Sequence, residues 1–125
     1  MPQPQALQQS NPLAISVSAA NSPYEINIPF DLRFSGYQYN LNTSNGPVTI
    51  NFDLANGTEI NFLVTGAGSN VNFISSSDIY GLGLATFPGQ KLVMVNPVAG
   101  DFVTFTYNSG GANVVTQASG NFQVQ

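Results

Sequence analysis

The sequence contains no cysteine, no histidine and no tryptophan. Without cysteine the chain has no disulfides and no thiolate metal site. Without histidine it lacks the commonest general base and the commonest metal ligand of proteins. These absences remove most catalytic designs. We therefore predict that the chain is not an enzyme and has no catalytic, cofactor-binding or metal-binding residues.

Charged residues are also scarce. Only 6% of the residues are Asp, Glu, Lys or Arg, whereas about 25% is usual in globular proteins. The two cations are Arg33 and Lys91, and the net charge is −4. Nucleic acids and anionic membrane surfaces are bound by clusters of Lys and Arg. We therefore predict that the chain binds neither nucleic acid nor a membrane.

Long apolar runs are missing as well. No run approaches the roughly 20 residues that span a bilayer. The first residues lack the basic and apolar regions of a secretory signal, so we expect synthesis in a cytoplasm. Residues 1–12 are rich in Gln and Pro and have almost nothing to bury. They are either an ordinary disordered terminus or an arm that becomes ordered on a partner.

From residue 13 onward apolar and polar residues alternate, as expected for strands with one buried face. In the clearest run one face carries Tyr24, Ile26, Ile28, Phe30, Leu32 and Phe34. Pro29 in this run indicates an edge strand or a bulge. Turn signals separate about nine short strands, and any helix is limited to one short turn. Residues 13–125 are thus predicted to form one all-β domain, an antiparallel β-sandwich or a jelly-roll-like fold.

Asn56-Gly57 separates two alternating runs and predicts a β-hairpin over residues 48–64. Such a hairpin would bring Asp53 and Glu59, one on either side of the turn, toward each other. A glycosidase needs two carboxylates that flank the scissile bond. We interpret these and the other four acids as solvated strand and turn positions instead. The remaining acids are Glu25, Asp31, Asp78 and Asp101.

Two further groups of residues are candidates for ligand or partner binding. Asn51, Asp53 and Asn56 offer oxygen ligands for calcium, but no loop has the density of carboxylates that such a site requires. Tyr37 and Tyr39 follow Gly36 among polar residues. They either line an interface or a sugar site, or they form the inward face of a strand, which we favour. Neither group establishes a ligand site.

The polar surface is the positive signal in this composition. Asn, Gln, Ser and Thr take the place of the mixed charges that keep ordinary soluble proteins apart. Such side chains form hydrogen bonds without the desolvation cost of burying an ion. This composition is typical of a protein whose surface is largely buried in an assembly, most often one with copies of itself.

A small, Asn/Ser/Thr/Gly-rich β-domain without cysteine or histidine resembles bacteriophage virion proteins. The most similar stretch is residues 88–105, which read PGQKLVMVNPVAGDFVTF. It resembles hairpins in capsid decoration (cement) proteins and in head-fibre or tail appendage domains. No family site residues are carried over, because these families are defined by surfaces rather than motifs.

The resemblance implies a capsid decoration protein that binds the outside of the shell and stabilises it. Its partners would be the major capsid protein and copies of itself in a homotrimer. Its location would be the virion, assembled in the host cytoplasm. Residues 1–12 would be the arm that lies along the shell. The candidate partner contacts are Pro2, Pro4, Leu7, Pro12, Tyr37 and Tyr39.

Two alternatives remain. A tail-fibre, spike or baseplate domain would recognise a host-surface glycan through loops that include residues 66–70 and 108–113. A carbohydrate-active enzyme would depend on Asp53 and Glu59.

Overall fold

The computed structural model of the protein describes residues 14–28 and 37–125. The predicted arm, residues 1–12, lies outside them, as do Pro29, Phe30, Leu32 and Phe34. One 3₁₀ turn, Ala19–Asn21, lies between the first two strands. The strands are β1 Ala14–Ser18, β2 Tyr24–Ile28, β3 Tyr37–Asn42, β4 Val48–Leu54, β5 Glu59–Gly66, β6 Val71–Ser75, β7 Ile79–Gly81, β8 Leu84–Thr86, β9 Leu92–Val95, β10 Phe102–Tyr107, β11 Asn113–Ser119 and β12 Asn121–Val124.

The strands form two sheets. The seven-stranded sheet has the order β1-β3-β5-β10-β11-β7-β8, and the five-stranded sheet has the order β12-β9-β6-β4-β2. This arrangement confirms the predicted all-β sandwich, with twelve strands in the described residues rather than about nine. No helix in residues 14–28 and 37–125 is long and apolar enough to cross a membrane.

Strands β1 to β6 alternate between the two sheets, and we call this part (residues 14–28 and 37–75) the winding half. β1, β3 and β5 are parallel neighbours in one sheet, and β2, β4 and β6 are parallel neighbours in the other. Parallel neighbours need a crossover connection. Here each crossover runs through a strand of the opposite sheet. The sheets of the predicted sandwich are therefore mixed rather than antiparallel throughout.

The predicted hairpin over residues 48–64 was wrong. β4 lies between β2 and β6, whereas β5 lies between β3 and β10 in the other sheet. The turn itself is tight, since Thr58 N donates to Ala55 O over 3.0 Å and Gly57 N donates to Tyr107 O over 2.8 Å. Gly57 has a φ of 86°, which favours glycine. The Asn-Gly pair thus indicates the turn, but not whether the chain returns to the same sheet.

Strands β7 to β12, residues 79–124, complete both sheets, and we call them the closing half. Their pairings are antiparallel except that β11 and β7 are parallel. The apolar run before Asn96 is β9, an inner strand between β12 and β6. Residues 79–86 form the short hairpin of β7 and β8.

The core between the sheets is built around aromatic rings. Phe62 contacts the rings of four other residues, with centroid distances from 5.0 to 6.4 Å. These residues are Tyr39, Phe52, Phe73 and Phe105. The rings come from both sheets and from both halves of the chain, so one continuous core holds the sandwich together.

The two ends of the sandwich differ. At one end β8, the last strand of the seven-stranded sheet, packs against β12 of the five-stranded sheet. At the other end the outermost strands are β1 and β2. Residues 19–23 link these two strands directly, and the Tyr24 ring of β2 lies 5.9 Å from the Tyr39 ring of β3. Among the described residues β2 is an edge strand, and Pro29, which follows it in the sequence, lies outside them.

Candidate interaction surfaces

The outer face of the seven-stranded sheet carries rows of neutral polar side chains. Gln38, Asn61, Thr104 and Gln117 follow one another across four neighbouring strands. The Thr104 hydroxyl donates to Asn61 Oδ1 over 2.7 Å, and Asn61 Nδ2 donates to the Tyr37 carbonyl over 3.4 Å. These bonds connect neighbouring strands without ions. This face therefore offers a partner hydrogen-bonding groups that need no ion desolvation.

The outer face of the five-stranded sheet holds a groove of about 460 Å³. It is lined by Glu25 and Asn27 of β2, Asn51 and Asp53 of β4, and the Ser76 and Pro88 regions. Asn51 Nδ2 donates to Glu25 Oε2 over 2.6 Å, and the Ser76 hydroxyl donates to Asp53 Oδ1. The carboxylates of Glu25 and Asp53 thus each accept a hydrogen bond from a neutral side chain.

The groove does not join Asp53 to Glu59. Asp53 is on β4 of one sheet, and Glu59 is on β5 of the other. The two could meet only across a hairpin that does not form. In residues 14–28 and 37–125 no cluster of three or more Asp and Glu side chains is placed to hold a metal ion. Of the candidate calcium ligands, Asn51 donates a hydrogen bond to Glu25, and Asp53 accepts one from Ser76. Asn56 is exposed in a turn.

The hairpin of β7 and β8 exposes large apolar side chains, and this was missed in the sequence. Tyr80 is 39% exposed, and Leu82 and Phe87 are each 49% exposed. The rings of Tyr80 and Phe87 meet edge to face, 6.3 Å apart. We call these three residues the apolar hairpin surface. Contiguous exposed apolar side chains often mark binding sites.

The backbone presents Leu82 in an unusual conformation. Its φ is 59°, in the left-handed region that a branched side chain rarely adopts. The preceding Gly81 has a φ of 144°, and a Cβ there would lie 2.6 Å from Val115 Cβ. Gly81 therefore lets the hairpin lie close against β11. Leu82 and Gly83, with φ of 59° and 73°, form the two-residue turn between Gly81 and Leu84, and positive φ at both positions is usual in such tight hairpins.

Hydrogen bonds hold the flanking residues of the apolar hairpin surface. The Tyr80 hydroxyl donates to Asp78 Oδ2 over 2.8 Å, and this bond raises the pKa of Tyr80. Phe87 N donates to Gln90 Oε1, and Gln90 N donates to Phe87 O, each over 2.9 Å. The Tyr80 side chain and the Phe87 backbone are thus each held by hydrogen bonds to a neighbouring residue.

Buried polar atoms lie behind the same hairpin. Asn113 Nδ2 donates to Ser75 Oγ over 3.0 Å and to Asp78 O over 3.2 Å. Asn113 Oδ1 and Thr86 Oγ1 are buried and have no hydrogen-bond partner among the described residues. A buried polar atom without a partner costs about 1–3 kcal/mol. The region behind the hairpin therefore holds buried polar atoms that lack hydrogen bonds, whereas the aromatic core is built from apolar rings.

The two tyrosines named as partner contacts lie on the inner side of β3. Tyr39 is only 5% exposed and stacks on Phe62 at 5.5 Å, and burial raises the pKa of Tyr39 to about 12. Tyr37 is half-buried and packs against the core. The inward-face interpretation is correct for Tyr39, whose ring is covered. The other named contacts, Pro2, Pro4, Leu7 and Pro12, lie outside the described residues.

The described residues form an all-β sandwich with two mixed sheets, polar outer faces with few charges, and an exposed apolar hairpin. No known family model matches the sequence, and no curated protein matches it.

Proposed function

We propose that this chain is a structural protein of a bacteriophage virion, a capsid decoration protein that binds the outside of the shell and stabilises it. The observation that carries the proposal is the apolar hairpin surface on a domain whose outer faces are otherwise polar and poor in charge. The resemblance of residues 88–105 to virion β-domains supports the same function.

The apolar hairpin surface can supply binding free energy. Fully burying one large apolar side chain stabilises by about 1.5–3 kcal/mol, and Tyr80, Leu82 and Phe87 are already partly buried. We expect about half of that value from each residue when it packs into the shell. Buried aromatic anchors are also common hot spots of protein interfaces.

The neutral amides and hydroxyls would surround such a contact. They exchange hydrogen bonds with water for hydrogen bonds with the shell, at no cost for desolvating an ion. A protein that binds only the assembled shell stabilises that shell by mass action. One copy therefore needs only moderate affinity, because the lattice presents many equivalent sites.

The first test replaces Leu82 with asparagine, a residue that tolerates the left-handed conformation. We expect Leu82→Asn to weaken binding to empty capsids of the encoding phage by at least tenfold in co-sedimentation. The free energy of unfolding should stay equal or rise by up to about 1 kcal/mol, because strain at φ 59° is relieved. A matched control is Val98→Asn, which changes an exposed apolar residue in the turn between β9 and β10. Undiminished binding by Leu82→Asn would contradict the role of the hairpin.

The second test concerns the arm. Deletion of residues 1–12 should leave the circular dichroism spectrum and melting temperature of the domain unchanged, and should lower the occupancy of the capsid. Full occupancy after the deletion would show that the arm does not contribute.

The groove favours a second candidate function, recognition of a host glycan by a tail-fibre or spike domain. Carboxylates and amides such as Glu25, Asn27 and Asp53 are suited to bind sugar hydroxyls, and a volume of about 460 Å³ fits one or two sugar rings. A glycan array separates the candidates. Reproducible binding to a polysaccharide that is lost in Asn27→Ala, together with no binding to capsids, would favour the fibre.

A further inference from the structure

The open end of the sandwich, formed by β1 and β2, exposes two sheet edges side by side. Among the described residues, β1 pairs only with β3 and β2 pairs only with β4. An edge strand leaves a row of backbone N–H and C=O groups that can pair with another strand. The opposite end differs, because β8 and β12 pack against each other there.

The edge strand β1 has none of the features that usually block association. Its sequence, Ala-Ile-Ser-Val-Ser, contains no charged residue and no proline, and its pairing with β3 is regular from Ala14 to Ser18. Natural proteins protect free edges with charges, prolines or bulges. Ile15 and Tyr24, which pack against the core at this end, are only half-buried. The edge therefore has the character of a surface that another strand covers.

We infer that a second copy of this chain covers the open end, with β1 paired antiparallel to β1 and β2 paired antiparallel to β2 across one two-fold axis. An axis normal to two stacked sheets passes through both edges, so a single rotation extends both sheets at once. The inference goes beyond capsid binding and does not depend on it. It gives a dimer, in contrast to the trimer implied by the resemblance.

The sequence of β1 is self-complementary in this arrangement. With the axis at Ser16, Ile15 of one copy lies opposite Val17 of the other, on the core side of the sheet. Ser16 lies opposite itself, and Ala14 lies opposite Ser18, on the outer side. Every cross-strand pair thus joins two apolar or two small neutral residues, and no like charges meet.

The sequence of β2 is complementary in the same way. With the axis at Ile26, Tyr24 lies opposite Ile28 on the core side, and Glu25 lies opposite Asn27 on the outer side. An amide opposite a carboxylate can donate a hydrogen bond to it, as Asn51 Nδ2 already does to Glu25 within one chain. The only charged residue of the two edges therefore faces a neutral donor.

The two-fold axis allows a sharp test, because only this symmetry places residue 16 opposite itself. By analytical ultracentrifugation of the full chain, we expect the wild type to dimerise. Ser16→Lys alone and Ser16→Glu alone should each weaken the dimer at least tenfold, since two like charges then lie opposite each other. An equimolar mixture of the two variants should restore a dimer, which also shows that both variants are folded.

The matched controls are Gln123→Lys and Gln123→Glu, which place the same charges on an exposed residue of β12 at the closed end. These controls should dimerise like the wild type. A concentration of about 100 µM is high enough to detect a weak dimer. The inference is overturned if the wild-type chain stays monomeric at that concentration or forms a trimer. It is also overturned by a dimer that survives both Ser16 variants, or by one that is lost on deletion of residues 1–12.

Discussion

The winding half and the closing half of the chain share one core, but they differ in regularity. In the winding half the strands alternate between the sheets and pair in parallel with nearly constant register. In the closing half the pairing is mostly antiparallel. One register shift lies in each half, between Leu41 and Asn42 in β3 and between Thr104 and Phe105 in β10. The other irregular features of the described residues are concentrated in the closing half.

Three observations locate these irregularities. The exposed large apolar residues of the described chain, Tyr80, Leu82, Phe87 and Val98, all lie in the closing half. So do the two residues other than glycine with positive φ, Leu82 and Asn96. Of the three buried side-chain atoms without a partner, two belong to Thr86 and Asn113, and the third belongs to Thr58 in the turn before β5.

The difference shows that the well-packed core and the exposed apolar residues of this sandwich are concentrated in different halves of the chain. The winding half supplies most of the aromatic core, whereas the closing half exposes apolar residues and holds strained backbone. Departures from local rules are expected at functional sites, where the rest of the fold compensates for their cost. This contrast places the apolar hairpin surface first among the surfaces to be tested.

The largest expected effect concerns the core of the winding half. Phe62→Ala should lower the free energy of unfolding by about 3–5 kcal/mol, because it leaves a cavity among four aromatic neighbours. Phe122→Ala, in the half-buried strand β12 of the closing half, should cost less than about 2 kcal/mol. Urea denaturation measures both. Equal losses of unfolding free energy in the two variants would contradict the distinction between the halves.

A smaller effect is expected at the hairpin. Gly81→Ala should cost about 2–4 kcal/mol, since the new Cβ would overlap Val115 and the φ of 144° disfavours it. Gly83→Ala is the matched control, because its φ of 73° is also unfavourable but no atom lies within 4 Å of the added Cβ. This control should cost only about 1–2 kcal/mol. If thermal unfolding shows the two variants to be alike, the close approach to β11 is not important.

The smallest effect is a dependence on alkaline pH. The buried Tyr39 hydroxyl has a pKa of about 12 in the folded chain, against 10.0 for an ordinary tyrosine. The folded state therefore holds this proton more tightly than the unfolded state between these values. Its contribution to stability is complete below pH 10 and is lost as the pH rises toward 12. Urea midpoints of the wild type should fall over this interval more than those of Tyr39→Phe; parallel curves would argue against the burial of Tyr39.

The sequence determined much of the local structure by itself. Alternation assigned the buried faces of β2, β4 and β5 correctly, because side chains on a strand point to opposite sides whatever the neighbouring strand is. The Asn56-Gly57 turn was also predicted from the sequence pattern. The scarcity of charge is a property of the chain, and it appears on the sheets as rows of amides and hydroxyls.

Only the tertiary structure decided which strands are neighbours and which residues are exposed. β4 and β5 have the pattern of a hairpin, yet they lie in different sheets, because period-two alternation is the same in parallel and antiparallel pairs. Large apolar side chains are usually buried, but the hairpin exposes Leu82 and Phe87. Alternation determines how each strand faces the core, whereas packing of the whole chain determines its partners, its free edges and its binding surface.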